Sequence, residues 1–214
     1  MIVSRVMTKN PIFTHPDMSI NDVRSLMHKE SIGHVPVLDK NKNLVGLVTM
    51  EDLVKAGPSA ATSLDMYEIS YLLSKITVKD VMEKNVVVAE ENDVVEEAAR
   101  VMADKGIGCL PVMRGKLLVG IITDTDLFRV FVNAFGARHQ GVRFTCSIKD
   151  RPGQVAKLSQ AIAERGGNIV SFITFEGDDL TSRRITVKVG GVRRVEMENL
   201  IHSFPDLELE DIRE

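Results

Sequence analysis

The sequence predicts a mixed α/β protein of the α+β class, with a β-α-β-β-α unit present twice and a β-α-β-β-α-β domain after it. Two observations predict this architecture: one stretch of the chain is written twice, and the pattern of apolar residues changes after Gly136. The 214 residues, 44% hydrophobic and 27% charged, are ordinary for a globular protein with room for more than one core.

The repeat is an internal duplication that stays in register over most of its length. Met7 recurs as Met82 and Pro36 as Pro111, and one residue is lost before Asp52 recurs as Asp126. Because copies of one unit usually pack on each other, we expect a pseudo-symmetric pair with a cleft at its seam.

Each copy is expected to begin with a short strand and a helix, and to continue with two strands and a second helix. The predicted caps are Ser19 for the first helix of copy one, and Asn92 or Asp93 for that of copy two, with Gly33 and Gly108 ending these helices. The predicted strands are Pro11–Thr14, Val35–Leu38 and Leu44–Thr49, then Val86–Ala89, Leu110–Met113 and Leu117–Thr123, and the final helices begin near Glu51 and Thr125.

The predicted domain boundaries follow from small-residue and polar stretches. The first repeat spans 1–56, a linker with a helix over Leu64–Lys75 spans 57–76, and the second repeat spans 77–135. The domain after them spans 141–214.

This last domain shows alternating apolar residues in its strands and helical spacing between them. The predicted elements are strand Val142–Ile148, a helix bearing Leu158 and Ile162, strands Ile169–Phe175 and Arg184–Val189, a helix bearing Met197 and Leu200, and strand Leu207–Leu209. This order is that of a ferredoxin-like sandwich.

Charge and cysteine content exclude several classes of protein. A net charge of −3 offers no basic field for nucleic acid, and no apolar run reaches the roughly 20 residues that span a membrane. Cys109 and Cys146 form no CxxC pair and the five histidines show no ligand spacing, so we expect neither a disulfide nor a metal site. A cytoplasmic protein is the expectation.

The pattern Gly-h-h-Thr-x-x-Asp-Leu, where h is an apolar residue, is the strongest chemical signal and occurs once in each copy. It places Thr49 and Thr123 at the end of a strand, and Asp52 and Asp126 in the first turn of the next helix. A carboxylate there can accept hydrogen bonds from the vicinal hydroxyls of a ribose. The alternative is that these residues only cap the helix, and the recurrence of the pattern favours the ligand.

Together with Ile-Gly-x-x-Pro-Val before it, this pattern resembles a tandem pair of CBS domains over about residues 1–135. The resemblance implies a non-catalytic cleft for an adenosine-containing ligand such as AMP, ADP, ATP or S-adenosylmethionine, and no required cofactor. It implies that the Asp residues hold ribose and the Thr residues contact ribose or phosphate. The expected base contacts are Thr14, His34, Pro36, Val88, Cys109 and Pro111.

The chain departs from the CBS pattern immediately after each Thr. Many members carry a basic residue there, whereas this chain has Met50 and Asp124. The nearest cations are Lys55 and Arg129, about one helical turn beyond each Asp. We therefore expect at least one adenine-ligand site, not two.

Residues 141–214 resemble an ACT domain through Asp-Arg-Pro-Gly and Gly-Asn-Ile. The resemblance implies side-by-side pairing and an amino acid bound near the loop, with contacts from Asp150, Pro152, Gly153, Gln154, Asn168 and Ile169. Dimerisation without a ligand is an equal alternative.

The order of the domains resembles the CBS–ACT family of acetoin-utilisation proteins. It implies a homodimeric regulatory sensor that reports to another protein. An enzyme of acetoin metabolism is disfavoured because no nucleophile–base pair appears, and a purely structural dimerisation adaptor stays open.

Overall fold

A computed structural model describes residues 1–57, 65, 67, 71 and 75–214. The chain divides into two compact units, Met1–Leu127 and Phe128–Glu214. Apart from its single described positions, the linker helix predicted over 64–75 lies outside the described residues. Among the described helices, none combines the length and apolar character that a membrane crossing needs.

The N-terminal unit contains both copies of the repeat, and each copy has the predicted β-α-β-β-α order, with an additional short helix before the first strand of copy two. Copy one consists of a 3₁₀ turn Val3–Arg5, β1 Thr8–Lys9, α1 Ile20–Glu30, β2 His34–Leu38, β3 Leu44–Thr49 and α2 Met50–Lys55. Copy two consists of α3 Val78–Val81, β4 Ala89–Glu90, α4 Val95–Lys105, β5 Cys109–Arg114, β6 Leu117–Thr123 and α5 Asp124–Ala134, which continues into the second unit.

The first strand of each copy was predicted in the wrong place. The segment Pro11–Thr14 forms only an isolated bridge, between Thr14 and Val37. In copy two the strand is shifted to Ala89–Glu90, where Ala89 pairs in parallel with Val112.

The helix caps differ between the copies. Ser19 caps α1 as predicted, accepting a hydrogen bond from the Asp22 N–H at 3.2 Å. The caps proposed at Asn92 and Asp93 are wrong: the N-cap of α4 is Val94, without a side-chain hydrogen bond. The Asp93 carboxylate instead accepts from the Glu90 N–H at 2.8 Å and closes the preceding turn.

The sequence predicted that Gly33 and Gly108 end these helices, and this prediction is wrong. The left-handed residues at the ends are Ser31, with φ 54°, and Gly106, with φ 63°. Gly108 lies one residue before β5, where a Cβ would approach His34 Nε2 to 3.2 Å. Its small size therefore leaves room for a side chain of the other copy.

The segments that lead into the two copies are exchanged. β1 pairs antiparallel with β6 in a sheet of order β1-β6-β5-β4, and Val3 is buried in the core of copy two. Conversely, Val78 of α3 is buried in the core of copy one, and Glu83 forms a bridge with Leu47 of β3. Each copy thus completes the core of the other.

This exchange explains why a methionine and a glycine recur in both copies. A Cβ on Gly120 would clash with the Met7 side chain, and a Cβ on Gly46 would clash with that of Met82. The leading segment of each copy therefore lays its methionine over the bare backbone of a strand in the other copy.

The C-terminal unit is the predicted β-α-β-β-α-β domain. Its elements are β7 Val142–Lys149, α6 Gln154–Glu164, β8 Asn168–Glu176, β9 Ser182–Gly190, α7 Arg194–His202 and β10 Leu207–Arg213. The sheet is antiparallel in the order β10-β7-β9-β8. Phe144, Leu158 and Met197 are fully buried between the sheet and the two helices, so a ferredoxin-like core forms.

Candidate functional site

A cavity of about 430 Å³ lies at the seam between the two copies, within the N-terminal unit. Copy one contributes the start of β2, the end of β3 and the start of α2, and copy two contributes the segment before β4 and the turn before β5. The lining residues are Gly33, His34, Leu47, Thr49, Met50, Glu51, Asp52, Glu83, Asn85, Val86, Val87, Gly106, Ile107, Gly108 and Cys109.

Thr49 and Asp52 lie on the wall of this cavity and are hydrogen bonded to each other. Asp52 Oδ2 accepts from the Thr49 N–H at 2.8 Å and from Thr49 Oγ1 at 2.7 Å, while Thr49 Oγ1 accepts from the Asp52 N–H at 3.2 Å. The pair therefore caps α2. Both bonds to the carboxylate end on Oδ2, which leaves Oδ1 outside the cap.

Thr123 and Asp126 repeat this arrangement at the start of α5. Asp126 Oδ2 accepts from the Thr123 N–H at 3.0 Å and from Thr123 Oγ1 at 2.9 Å. The Asp126 side chain is buried, with only 5% of the residue exposed, and neither residue lines the cavity described above. The same cap thus forms in both copies, and in copy one it lies on the wall of this cavity.

His34 and Cys109 occupy equivalent positions in the two copies and both line the cavity. Burial lowers the pKa of the His34 imidazole, although the carboxylates of Asp124 and Asp52 act in the opposite direction. Burial, assisted by Asp124, raises the pKa of the Cys109 thiol to about 12. At neutral pH both side chains are therefore uncharged, and Cys109 offers no thiolate for nucleophilic chemistry.

Four residues predicted to contact an adenine base are placed away from the cavity wall. Pro36 and Pro111 are buried inside β2 and β5, opposite Leu47 and Ile121 respectively. Val88 is exposed. Thr14 is 1% exposed, and its hydroxyl donates to Met18 Sδ at 3.1 Å.

The two cations proposed to meet phosphate do not line the cavity. Lys55 Nζ forms an ion pair with Glu51 Oε1 at 2.8 Å, one turn back on α2. Arg129 lies in the part of α5 that belongs to the C-terminal unit.

Of the residues that copy two contributes to the wall, sequence reasoning named Cys109 and missed the others. Asn85, Val86 and Val87 line the cavity, together with Glu83 and the turn Gly106–Ile107. The recurring Val-Met beside a recurring strand glycine was the available signal, because it marks where a leading segment crosses to the other copy.

The residues proposed as an amino-acid site lie at the start of α6 and β8. Gly153 is the N-cap of α6 with φ 88°, following the exposed Pro152. Asp150 forms an ion pair with Arg183 at 3.0 Å, and Gln154 donates to Asp206 at 3.3 Å. Asn168 is exposed at the first position of β8, while Ile169 packs against the core.

A family model for the CBS domain matches residues 3–59 and 78–133. The chain belongs to the CBS-domain family. Over 131 residues it is 30% identical to an L-aspartate semialdehyde sulfurtransferase from Methanocaldococcus jannaschii, a match covering 61% of this chain and 23% of that protein. The chain thus spans less than a quarter of the length of this relative.

Solved CBS pairs share the architecture of the N-terminal unit. A Vibrio cholerae protein assigned to acetoin utilization (AcuB) is 33% identical, with a TM-score of 0.54 over 64% of this chain and 95% of that one. The CBS pair of MJ0100, in complex with 5′-methylthioadenosine and S-adenosylmethionine, is 28% identical, with a TM-score of 0.53 over 65% and 98%. CBSX2 in complex with AMP is 29% identical, with a TM-score of 0.50 over 61% and 96%.

Proposed function

We propose that this protein is a non-catalytic regulatory sensor whose CBS pair binds an adenosine-containing ligand in the cavity beside Thr49 and Asp52. The ligands that neighbouring CBS pairs hold, AMP and S-adenosylmethionine, support this class of compound. The cavity volume of about 430 Å³ falls within the range of small-molecule sites.

The observation that carries the proposal is the position of Asp52. Its Oδ2 is held by the cap of α2, so the carboxylate is fixed in orientation before any ligand arrives. Its Oδ1 is then available to accept hydrogen bonds from ribose hydroxyls. Fixing an acceptor in advance lowers the entropic cost of binding.

Regulation requires that the ligand bind two conformations of the pair unequally. The cavity wall is shared between the copies, so a ligand there contacts both of them at once. Such a ligand favours the relative arrangement of the two copies in which both cavity walls contact the ligand. A partner protein can recognise that arrangement.

The test compares Asp52→Ala with Asp80→Ala by titration calorimetry with S-adenosylmethionine and AMP. Asp80 is a matched control, because with Thr77 it forms the same capping box on α3, with bonds of 2.9 and 2.6 Å, and does not line the cavity. Each variant loses a cap worth about 1 kcal/mol of stability. We expect Asp52→Ala alone to weaken binding, by at least about tenfold.

Equal binding by the two variants would contradict the role of Asp52, and an absence of binding by any adenosine compound would contradict the function. Turnover of an acetoin-related substrate by the purified protein would favour the enzyme alternative instead.

For the C-terminal unit we propose an ACT domain that pairs with a second copy of the chain and binds an amino acid near Asp150 and Gly153. The sheet order and the exposed turn before α6 support this assignment. Light scattering measures the expected homodimer, and calorimetry with the twenty amino acids at millimolar concentration measures the ligand. Monomers without heat of binding would contradict it.

We propose acetoin or related carbon metabolism as the regulated process, because of the likeness to the Vibrio cholerae protein. We also propose the cytoplasm as the location, as the sequence led us to expect. Growth of a deletion strain on acetoin tests the process: unchanged growth would contradict it.

A further inference from the structure

The charges on the cavity wall are all of one sign. Glu51, Asp52 and Glu83 line the cavity, whereas among the described residues no lysine or arginine does. Residues 58–74, which the structure does not describe as a segment, contain no lysine or arginine in the sequence. The wall therefore has no guanidinium or ammonium group to meet an anion.

The Glu51 carboxyl stays ionised at neutral pH. The ion pair with Lys55 lowers the pKa of the Glu51 carboxyl, through a hydrogen bond first and Coulomb attraction second. Glu83 is exposed, and its Oε1 accepts from the Asn85 N–H at 2.6 Å.

Two features that often accept a phosphate are neutralised here. His34 lines the cavity, but burial lowers the pKa of its imidazole, so it carries no charge at neutral pH. The start of α2 already has the Asp52 carboxylate on the Thr49 N–H, and this compensates the positive end of the short helix.

We propose that this cavity selects adenosine compounds by the charge of their 5′ substituent: it accepts neutral thioethers and cationic sulfoniums and disfavours phosphate chains. This inference rests on the proposed function. It holds for either orientation of the ligand, because no described residue of the wall is a lysine or an arginine, and Lys55, which pairs with Glu51, does not line the cavity. Repulsion between the acidic wall and a phosphate lowers the affinity for phosphorylated ligands, and a binding site can discriminate against a ligand in this way.

The neighbouring copy adds to the same charge. Asp124 is the first residue of α5, and its Oδ2 would lie 3.7 Å from a Cβ on Gly108, which lines the cavity. Its effect on the pKa of both His34 and Cys109 places its field at the cavity wall. The Asp124 carboxylate thus extends the selection beyond copy one.

The experiment measures dissociation constants of the full chain for adenosine, 5′-methylthioadenosine, S-adenosylmethionine, AMP and ATP by calorimetry at pH 7.5 and low salt. We expect S-adenosylmethionine and 5′-methylthioadenosine to bind at least about tenfold more tightly than AMP, and AMP more tightly than ATP. Binding of AMP or ATP as tight as that of the sulfonium would overturn the charge selection and leave the adenosine site standing. Absence of binding by all five would overturn the proposed function and the selection with it.

A charge variant then locates the selection on the wall. Glu83→Gln keeps the acceptor for the Asn85 N–H and removes one charge, so the ratio of the AMP and S-adenosylmethionine dissociation constants should fall about fivefold. Glu96→Gln removes the same charge from an exposed position outside the cavity and should leave the ratio unchanged. Equal ratios in the two variants would overturn the assignment to this wall.

Discussion

Gly120→Ala tests the exchange of leading segments between the copies. A Cβ at this position would lie 3.0 Å from both Cγ and Cε of Met7, and closer still to its sulfur. Overpacking of this kind costs about 1–3 kcal/mol, whereas replacing a strand glycine by alanine returns about 0.5–1 kcal/mol of backbone entropy. The expected net loss in the free energy of unfolding is about 1 kcal/mol.

The Met7→Ala background separates the clash from other effects of the new methyl group. With the Met7 side chain truncated, nothing within 3.0 Å opposes the Cβ, and Gly120→Ala should become stabilising by about 0.5 kcal/mol. Gly46→Ala is the equivalent change in copy one, and the Glu83 carbonyl oxygen at 3.2 Å belongs to the backbone. Since that atom moves less easily than a side chain, we expect a larger loss there, of about 2 kcal/mol.

The two buried cysteines provide an assay that resolves the two units. Cys109 is 2% exposed in the N-terminal unit and Cys146 is fully buried in the C-terminal unit, and the chain has only these two. Labelling by a thiol reagent in increasing urea, read by mass spectrometry, gives a separate unfolding midpoint for each unit. An equal loss of stability from Gly120→Ala in the wild-type and Met7→Ala backgrounds would refute the reasoning, and so would a shift of the unfolding midpoint at Cys146 only.

Two further predictions concern the cap of α4 and the titration of His34. Val94→Ser gives α4 the side-chain cap that Ser19 gives α1, and should raise the free energy of unfolding measured at Cys109 by about 0.5–1 kcal/mol. Ser19→Ala should lower it by about 1 kcal/mol. No gain in stability from Val94→Ser would contradict the role of the cap. Because burial lowers the pKa of His34 below its ordinary 6.5, the unfolded chain binds the proton first as the pH falls. Stability present above pH 6.5 is therefore lost as the pH falls through the lowered pKa, and His34→Gln should flatten the pH dependence of the Cys109 midpoint; an unchanged slope would contradict it.

The regular elements could be predicted because their signals are local. The bounds of β3 and β6, Leu44–Thr49 and Leu117–Thr123, agree with the sequence prediction residue for residue. Apolar strands bounded by polar turns and glycine carry that information within a few positions. The ends of the helices were harder to predict. The left-handed residue that ends α1 is Ser31, whereas the sequence prediction assigned that role to the nearby Gly33.

The lining of the cavity could be predicted only in part. Thr49 and Asp52 were identified from the repeated pattern, and His34 and Cys109 from the resemblance to CBS domains; all four line the cavity. Val87 was missed because the segment before β4 reaches the cavity through a tertiary exchange. A pairing between distant segments leaves no periodic trace in either of them.

Recurrence alone does not identify a functional residue in this chain. The methionine–glycine contacts recur for packing, and Thr77 with Asp80 forms a third Thr-x-x-Asp capping box away from the cavity. The box itself is therefore a property of the helix start, and what distinguishes Asp52 is that its carboxylate also forms part of a cavity wall. The capping box supplies the same hydrogen bonds in both copies, so we propose that residues that differ between equivalent positions, such as Met50 and Asp124, determine which ligand each copy can hold.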